Sequence, residues 1–329
     1  MAVRIKTIQR HQTLREIGRH RSVYALLFLP LIYFIIFRYL PIWNAQIAFR
    51  DFMPNLGVPD DFLRELGLYE TGRERGVVGS AWVGFRHFRE FIGSFYFFEL
   101  MRNTLGYSFG KLLFSLPLSI LLAVMIFECT KRGLSKAVQT LSYLPHFLSW
   151  VIMFGILQTL LSPADGIINN AIEVMGGERV NFLTNVRTFP WIVILSDAWH
   201  TMGWSAIIFI AALIGIDPSL YEAATVEGVS ARQRVWYITL PSIRPVIVMV
   251  VLLRLGTILD AGFLQIFMLY STQVYSVADI IDTWVYRQGL LNFQYSLATA
   301  VGLFKGVIGL ALILVSNWLI KKHTDSSLF

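Results

Sequence analysis

Apolar residues run along this chain in long, nearly unbroken stretches, and polar residues gather between them. About six stretches can cross roughly 30 Å of hydrocarbon at about 1.5 Å per helical residue. They run from Val23 to Leu40, Asn103 to Phe127, Ala137 to Leu161, Phe189 to Ile214, Ile243 to Leu269 and Ser296 to Ile320. The pattern predicts an all-α, polytopic integral membrane protein. A basic tail, 1–22, precedes a transmembrane domain, 23–322, and 323–329 form a short C-terminal tail. Inside the domain, 41–102 is a large loop with many aromatic residues and 215–242 is a compact polar loop.

The polar loop can be built from local rules. Asp217 before Pro218 suits a helix start, since Asp caps the first turn and the missing N–H of Pro costs nothing there. Leu220 to Val226 then forms a short helix, and Gly228 suits a left-handed turn after it. Ser230 and Gln233 make a capping box for a second helix, and Pro241 marks that helix's end near the membrane.

Charge orients the spans. Arg4, Lys6, Arg10, Arg15, Arg19 and Arg21 crowd the N-terminal tail, Lys131, Arg132 and Lys136 fill a short connection, and Lys321 and Lys322 follow the last span. The positive-inside tendency puts these segments, and both termini, in the cytoplasm, and puts 41–102 on the outer side. The residues before the first span read as part of an uncleaved protein rather than a signal peptide, because no small-x-small cleavage site follows the apolar run. This topology accounts for most of the net charge of +7, so nucleic acid is not needed as a partner, whereas lipid is. The single cysteine, Cys129, excludes an internal disulfide or a cysteine metal cluster.

Between Glu222 and Pro241 the spacing is E-A-A-x3-G-x9-I-x-L-P, carried by Glu222, Ala223, Ala224, Gly228, Ile238, Leu240 and Pro241. This stretch resembles the cytoplasmic coupling loop of the membrane subunits of bacterial ABC importers. The runs YSVADIIDTWVYRQGL from Tyr275 and YSLATAVGLFKGVIGLALIL from Tyr295 look like the last outer loop and final span of carbohydrate-uptake permeases. They are most similar to the subgroup for polysaccharides or large oligosaccharides, alginate importers among them. The resemblance implies a type I ABC importer permease fold in the inner membrane. It also implies that Glu222 pairs with a basic group on an ATPase, that Ala223 and Ala224 allow close approach, that Gly228 permits the turn, and that Leu240 and Pro241 fix the return to the membrane. The implied partners are a second, homologous permease subunit, two cytoplasmic ATPase subunits and a periplasmic or extracytoplasmic sugar-binding protein. ATP and Mg²⁺ would sit on the ATPases, with no cofactor or metal bound by this chain and no catalytic residue of its own. In keeping with this, Gly110-Lys111 is followed by Leu112 and not by the Ser or Thr of a phosphate-binding loop.

Lys111, Asp197, Arg254, Asp260 and Lys305 fall within expected spans, where an ionised group costs at least roughly 2.5 to 3.5 kcal/mol. Lys111, Asp197, Asp260 and Lys305 lie roughly seven to nine residues below the outer end of their helices, which predicts one charged layer about 10 to 14 Å deep. Asp197, His200 and Trp204 are spaced to share a helix face. Two readings stay open: ion bridges that lock the bundle, or a cavity wall whose cations draw in an acidic oligosaccharide. A cation at Lys305 also departs from the family's usual occupant. An ion-coupled secondary transporter working without an ATPase is the alternative function for such intramembrane charges.

Overall fold

The structure, a computed structural model, describes residues 21–52 and 80–323. The basic tail before Arg21, the middle of the large loop and the C-terminal tail after His323 lie outside the described residues. Among the described residues, secondary structure is helical apart from one isolated antiparallel bridge between Arg50 and Trp82. Five helices are long and apolar enough to cross a membrane, and a sixth crossing exists if one sharply bent pair counts as a span.

The chain divides into two compact units. In the first, α1 (Arg21–Phe34) continues without a gap through a π-helical turn, Ile35–Tyr39, and a 3₁₀ stretch, Leu40–Phe49. The first span therefore outruns its expected end at Leu40. Pro41 falls in the first turn of the 3₁₀ stretch, where its fixed φ fits. Leu26, Leu29 and Phe37 on this helix are exposed, as befits a surface whose solvent is hydrocarbon. Beyond it, Arg50 Nη1 donates to the Ser80 carbonyl at 2.7 Å and the Asp51 amide to that of Ala81 at 2.8 Å. These bonds satisfy the backbone where the ladder stops.

The second unit is built on α2 (Phe97–Glu128) and α5 (Phe189–Ile214), which pack along one another. Along α2 the residues Thr104, Ser108, Lys111, Ser115 and Ser119 are buried, a polar stripe at spacings of three and four that turns inward. Its outward positions, such as Leu113 and Leu121, are apolar and exposed.

The expected span from Ala137 to Leu161 is not one helix. It consists of α3 (Arg132–Tyr143), a 3₁₀ turn Leu144–Phe147, and α4 (Trp150–Leu161), with a bend of 107°. Pro145 restricts the residue before it and supplies no N–H, and Ser149 then starts a new helix by accepting the Ile152 amide.

The polar loop contains α6 (Pro218–Val226) and α7 (Ala231–Arg234). From α7 the chain passes through a π-helical turn, Val235–Thr239, into α8 (Leu240–Gly256), so that 231–256 form one continuous rod. Pro241 therefore does not end the second helix. The ladder widens to Leu240 N–H donating to the Val235 carbonyl just before it, and the proline sits in the first turn of the next α-helical stretch.

The rod stops at Gly256. Thr257 to Gly262 are irregular, and a short helix α9 (Phe263–Leu269) follows, so the expected span from Ile243 to Leu269 is broken. Gly262 takes a left-handed φ of 88°, the conformation that lets the chain re-form a helix there. Next come α10 (Ile281–Tyr286) and α11 (Tyr295–His323). The segment around α10 is sewn to α2: Tyr107 Oη donates to the Val277 carbonyl at 2.6 Å and Asn103 to that of Asp279 at 2.9 Å.

Candidate functional site

Two places concentrate polar chemistry. At the polar loop, Asp217 Oδ1 accepts the Ser219 amide at 2.9 Å, and that bond holds its carboxyl below the usual carboxylate range. The end of α6 is closed by two backbone bonds, Val229 N–H to the Ala224 carbonyl and Gly228 N–H to that of Thr225, with Gly228 at φ 69°. This is the reciprocal pattern of a Schellman cap. Ser230 and Gln233 exchange their side-chain bonds with each other's backbone, as the capping-box spacing predicts.

The motif residues divide by exposure. Glu222 and Ala223 face outward, whereas Ala224 is buried and Leu240 packs against the cluster around Phe209, Leu213 and Ile243. Pro241 is exposed on the rod. Val226, one turn beyond Glu222, is 88% exposed, and Trp236 and Tyr237 add large exposed rings to the same loop. An acidic group beside uncovered apolar side chains is the composition of a docking surface.

Sequence reasoning missed what holds this loop. Arg234 Nη2 lies 2.5 Å from Glu128 Oε2 at the end of α2, and its guanidinium stands 5.9 Å over the Tyr221 ring. Tyr221 Oη and Thr239 Oγ1 are 3.1 Å apart, and the Phe127 ring abuts Tyr221. No local spacing signals a pair separated by a hundred residues.

The second place is a cavity of about 290 Å³ lined by Ser108, Lys111, Ser115, Asp197, Arg254 and Asp260, among others. Lys111, 9% exposed, lies 3.3 Å from Asp197 and donates to the Ala261 carbonyl at 2.7 Å and to Gln265 Oε1. Gln265 in turn donates to the Val193 carbonyl and to Ser196. Lys111 and Gln265 together clamp the break after α8 onto α2 and α5.

Lys305 does not join this lining. Its ammonium contacts both oxygens of Asp282 at 2.6 and 2.7 Å, a partner from α10 that lies outside the expected spans. Of the four charges expected in one layer, Lys111, Asp197 and Asp260 line the cavity, and Lys305 is paired with Asp282.

The expected face of Asp197, His200 and Trp204 also divides. Asp197 turns to Lys111, while His200 Nε2 lies 3.2 Å from the Leu148 carbonyl and its ring stacks on Trp150 at 4.5 Å. Trp204 stacks on His146 at 4.7 Å, at the corner between α3 and α4. It lines a second cavity of about 440 Å³ with Ser205, Ile208, Val250, Leu253 and Arg254. Arg254 borders both cavities, and its Nη2 meets Ser205 Oγ at 3.3 Å.

Comparison with known proteins fits this architecture. Residues 115–324 match the family described as binding-protein-dependent transport system inner membrane component. The chain is 38% identical over 328 residues to the polygalacturonan/rhamnogalacturonan transport system permease protein YteP of Bacillus subtilis (strain 168), covering 100% of this chain and 96% of that one. It is similar to a chain in the crystal structure of a bacterial ABC transporter involved in the import of the acidic polysaccharide alginate. The TM-score is 0.82 at 38% identity, over 95% of this chain and 99% of that one. A second structure of a bacterial alginate ABC transporter, in complex with an alginate pentasaccharide-bound periplasmic protein, matches equally, with TM-score 0.82 and 38% identity over the same shares.

Proposed function

Because the chain belongs to the binding-protein-dependent transport inner membrane components, the multi-pass permeases of ABC importers, we propose that it forms one half of an ATP-driven pathway for an acidic oligo- or polysaccharide. The partners in this reading are a second, homologous permease subunit, two cytoplasmic ATPase subunits and an extracytoplasmic sugar-binding protein. ATP and Mg²⁺ belong to the ATPases. Both termini and the Glu222 loop face the cytoplasm, consistent with the basic residues of the N-terminal tail and of the 131–136 connection.

The observation that carries the proposal is the rod from Ala231 to Gly256. At one end it begins in the capped loop with its exposed Glu222 and Val226, and at the other it stops at the irregular stretch that lines the charged cavity. A displacement imposed on the loop by an ATPase reaches the cavity wall through continuous helix, without a chemical step on this chain. Outward and inward openings then alternate as the clamp of Lys111 and Gln265 holds or yields at the end of the rod. The names of YteP and of the alginate transporters support an acidic polymer as cargo, and so does Arg254 as the charged residue lining the second cavity.

Co-purification tests the coupling assignment. Glu222→Arg is expected to remove the ATPase from the complex while the permease pair stays together. ATPase retention undiminished by that reversal contradicts the role given to Glu222.

A further inference from the structure

The structure sorts Lys111, Lys305 and Arg254, three of the intramembrane cations, by what they already hold. Lys111 is almost wholly buried, with Asp197, a carbonyl and an amide oxygen around its ammonium. Lys305 grips both oxygens of Asp282. Arg254 has the Ser205 hydroxyl at 3.3 Å and, among the described residues, no ion pair, although it stands at two cavities. A guanidinium carries five donors in a planar fork, and an unmatched one about 21 Å along α8 from Leu240 is expensive in hydrocarbon unless water or an anion meets it.

Trp204 lines the larger cavity with Arg254. One face of its indole is backed by the His146 imidazole, 4.7 Å away and 9° from parallel, and Phe147 meets it edge-on at 6.0 Å. Trp204 is still 49% exposed. A ring fixed from behind and open in front loses little conformational freedom on contact with a ligand. Its flat apolar surface suits the C–H face of a pyranose, and the neighbouring fork suits a carboxylate held through two parallel N–H bonds.

The geometry points to a uronate-binding subsite in the groove between α5 and α8, with Trp204 as the stacking platform and Arg254 as the carboxylate ligand. Ser205 orients the guanidinium. Lys111 is excluded from sugar contact by its own partners and acts as a structural clamp. The inference rests on the import reading and deepens it, since it locates charge selection on this subunit, beyond whatever selection the binding protein makes.

Equilibrium binding to the purified complex of permeases and ATPases, without binding protein, reads the subsite directly. The probes are labelled trigalacturonate and its carboxyl-reduced, neutral counterpart. The wild-type complex is expected to bind the acid at least about tenfold more tightly than the reduced sugar. Arg254→Gln should lose about tenfold on the acid and less than about twofold on the reduced sugar, with Arg254→Lys between, because Lys keeps the charge without the fork. Trp204→Ala should weaken both probes alike. Melting temperatures equal to the wild type show that the variants are folded. No acid preference in the wild type, or an Arg254→Gln effect equal on both probes or absent from both, overturns the subsite. A wild-type complex that lacks ATP-driven uptake would instead overturn the import reading, so the two failures are told apart.

Discussion

Arg234 and Glu128 meet at 2.5 Å across 106 residues of sequence, and they are the point where the polar loop is fastened to the end of α2. Both side chains are about three-quarters shielded, so the pair is screened less than an exposed one. The loop therefore moves with two helices, the rod that begins at Ala231 and α2 that ends at Glu128.

Breaking this pair should uncouple ATP hydrolysis from transport before it unfolds the protein. Arg234→Ala and Glu128→Ala are each expected to lower uptake per ATP hydrolysed, and a double-mutant cycle on ATPase binding should give a coupling energy of about 1 kcal/mol. The reversed pair, Arg234→Glu with Glu128→Arg, should recover part of the loss. Additive effects in the cycle would show that the contact carries nothing.

Lys111 should behave in the opposite way. Lys111→Met leaves Asp197 shielded without its cation and removes the donor that Gln265 accepts, so a loss of about 3 to 5 kcal/mol is expected. Thermal unfolding in detergent should report this, and Lys111→Met with Asp197→Leu should be markedly less destabilised than the single change. A single variant as stable as wild type would contradict the clamp.

The left-handed φ of 69° at Gly228 gives a third expectation. Gly228→Ala places a Cβ in a conformation that costs about 1 to 2 kcal/mol. The open space around this glycine makes the penalty one of backbone and not of packing. Weaker ATPase binding with an unchanged melting temperature of the membrane helices is the expected result.

At the other end of α6 the cap has a pH dependence of known sign. The Ser219 amide lowers the Asp217 carboxyl below its unfolded value, so the cap's stabilisation is complete above the ordinary Asp range and is lost as pH falls through the depressed folded value. Hydrogen exchange at Ser219 and Leu220 should be slow near neutrality, and should speed up relative to Asp217→Ala only in that acidic window. A difference between wild type and variant that persists unchanged to lower pH would contradict the assignment.

What was legible in the sequence follows the range of the interactions. Asp217 with Ser219, Ser230 with Gln233, and Gly228 lie within a few residues of their partners, so local rules gave the caps and the turn correctly and missed only the helix running on through Pro241. Hydropathy found the helices because lipid exposure is written into every position. It could not see the 107° corner or the gap after Gly256, since both remain apolar on average; Pro145, Ser149 and Gly262 were the available punctuation. The partners within the charged layer were not legible for a related reason. Depth along each helix was countable, but the rotation that turns Lys305 to Asp282 and Lys111 to Gln265 depends on how separate helices pack on one another.

In the proposed mechanism energy enters at the Glu222 loop and is supplied by ATP. Uptake of trigalacturonate into proteoliposomes tests it, with the two permeases, the ATPases and the loaded binding protein reconstituted together. Uptake is expected to need ATP, to survive collapse of the proton gradient, and to fall at least about tenfold with Glu222→Arg. Uptake by this chain alone, driven by a proton gradient and indifferent to ATP, would contradict it.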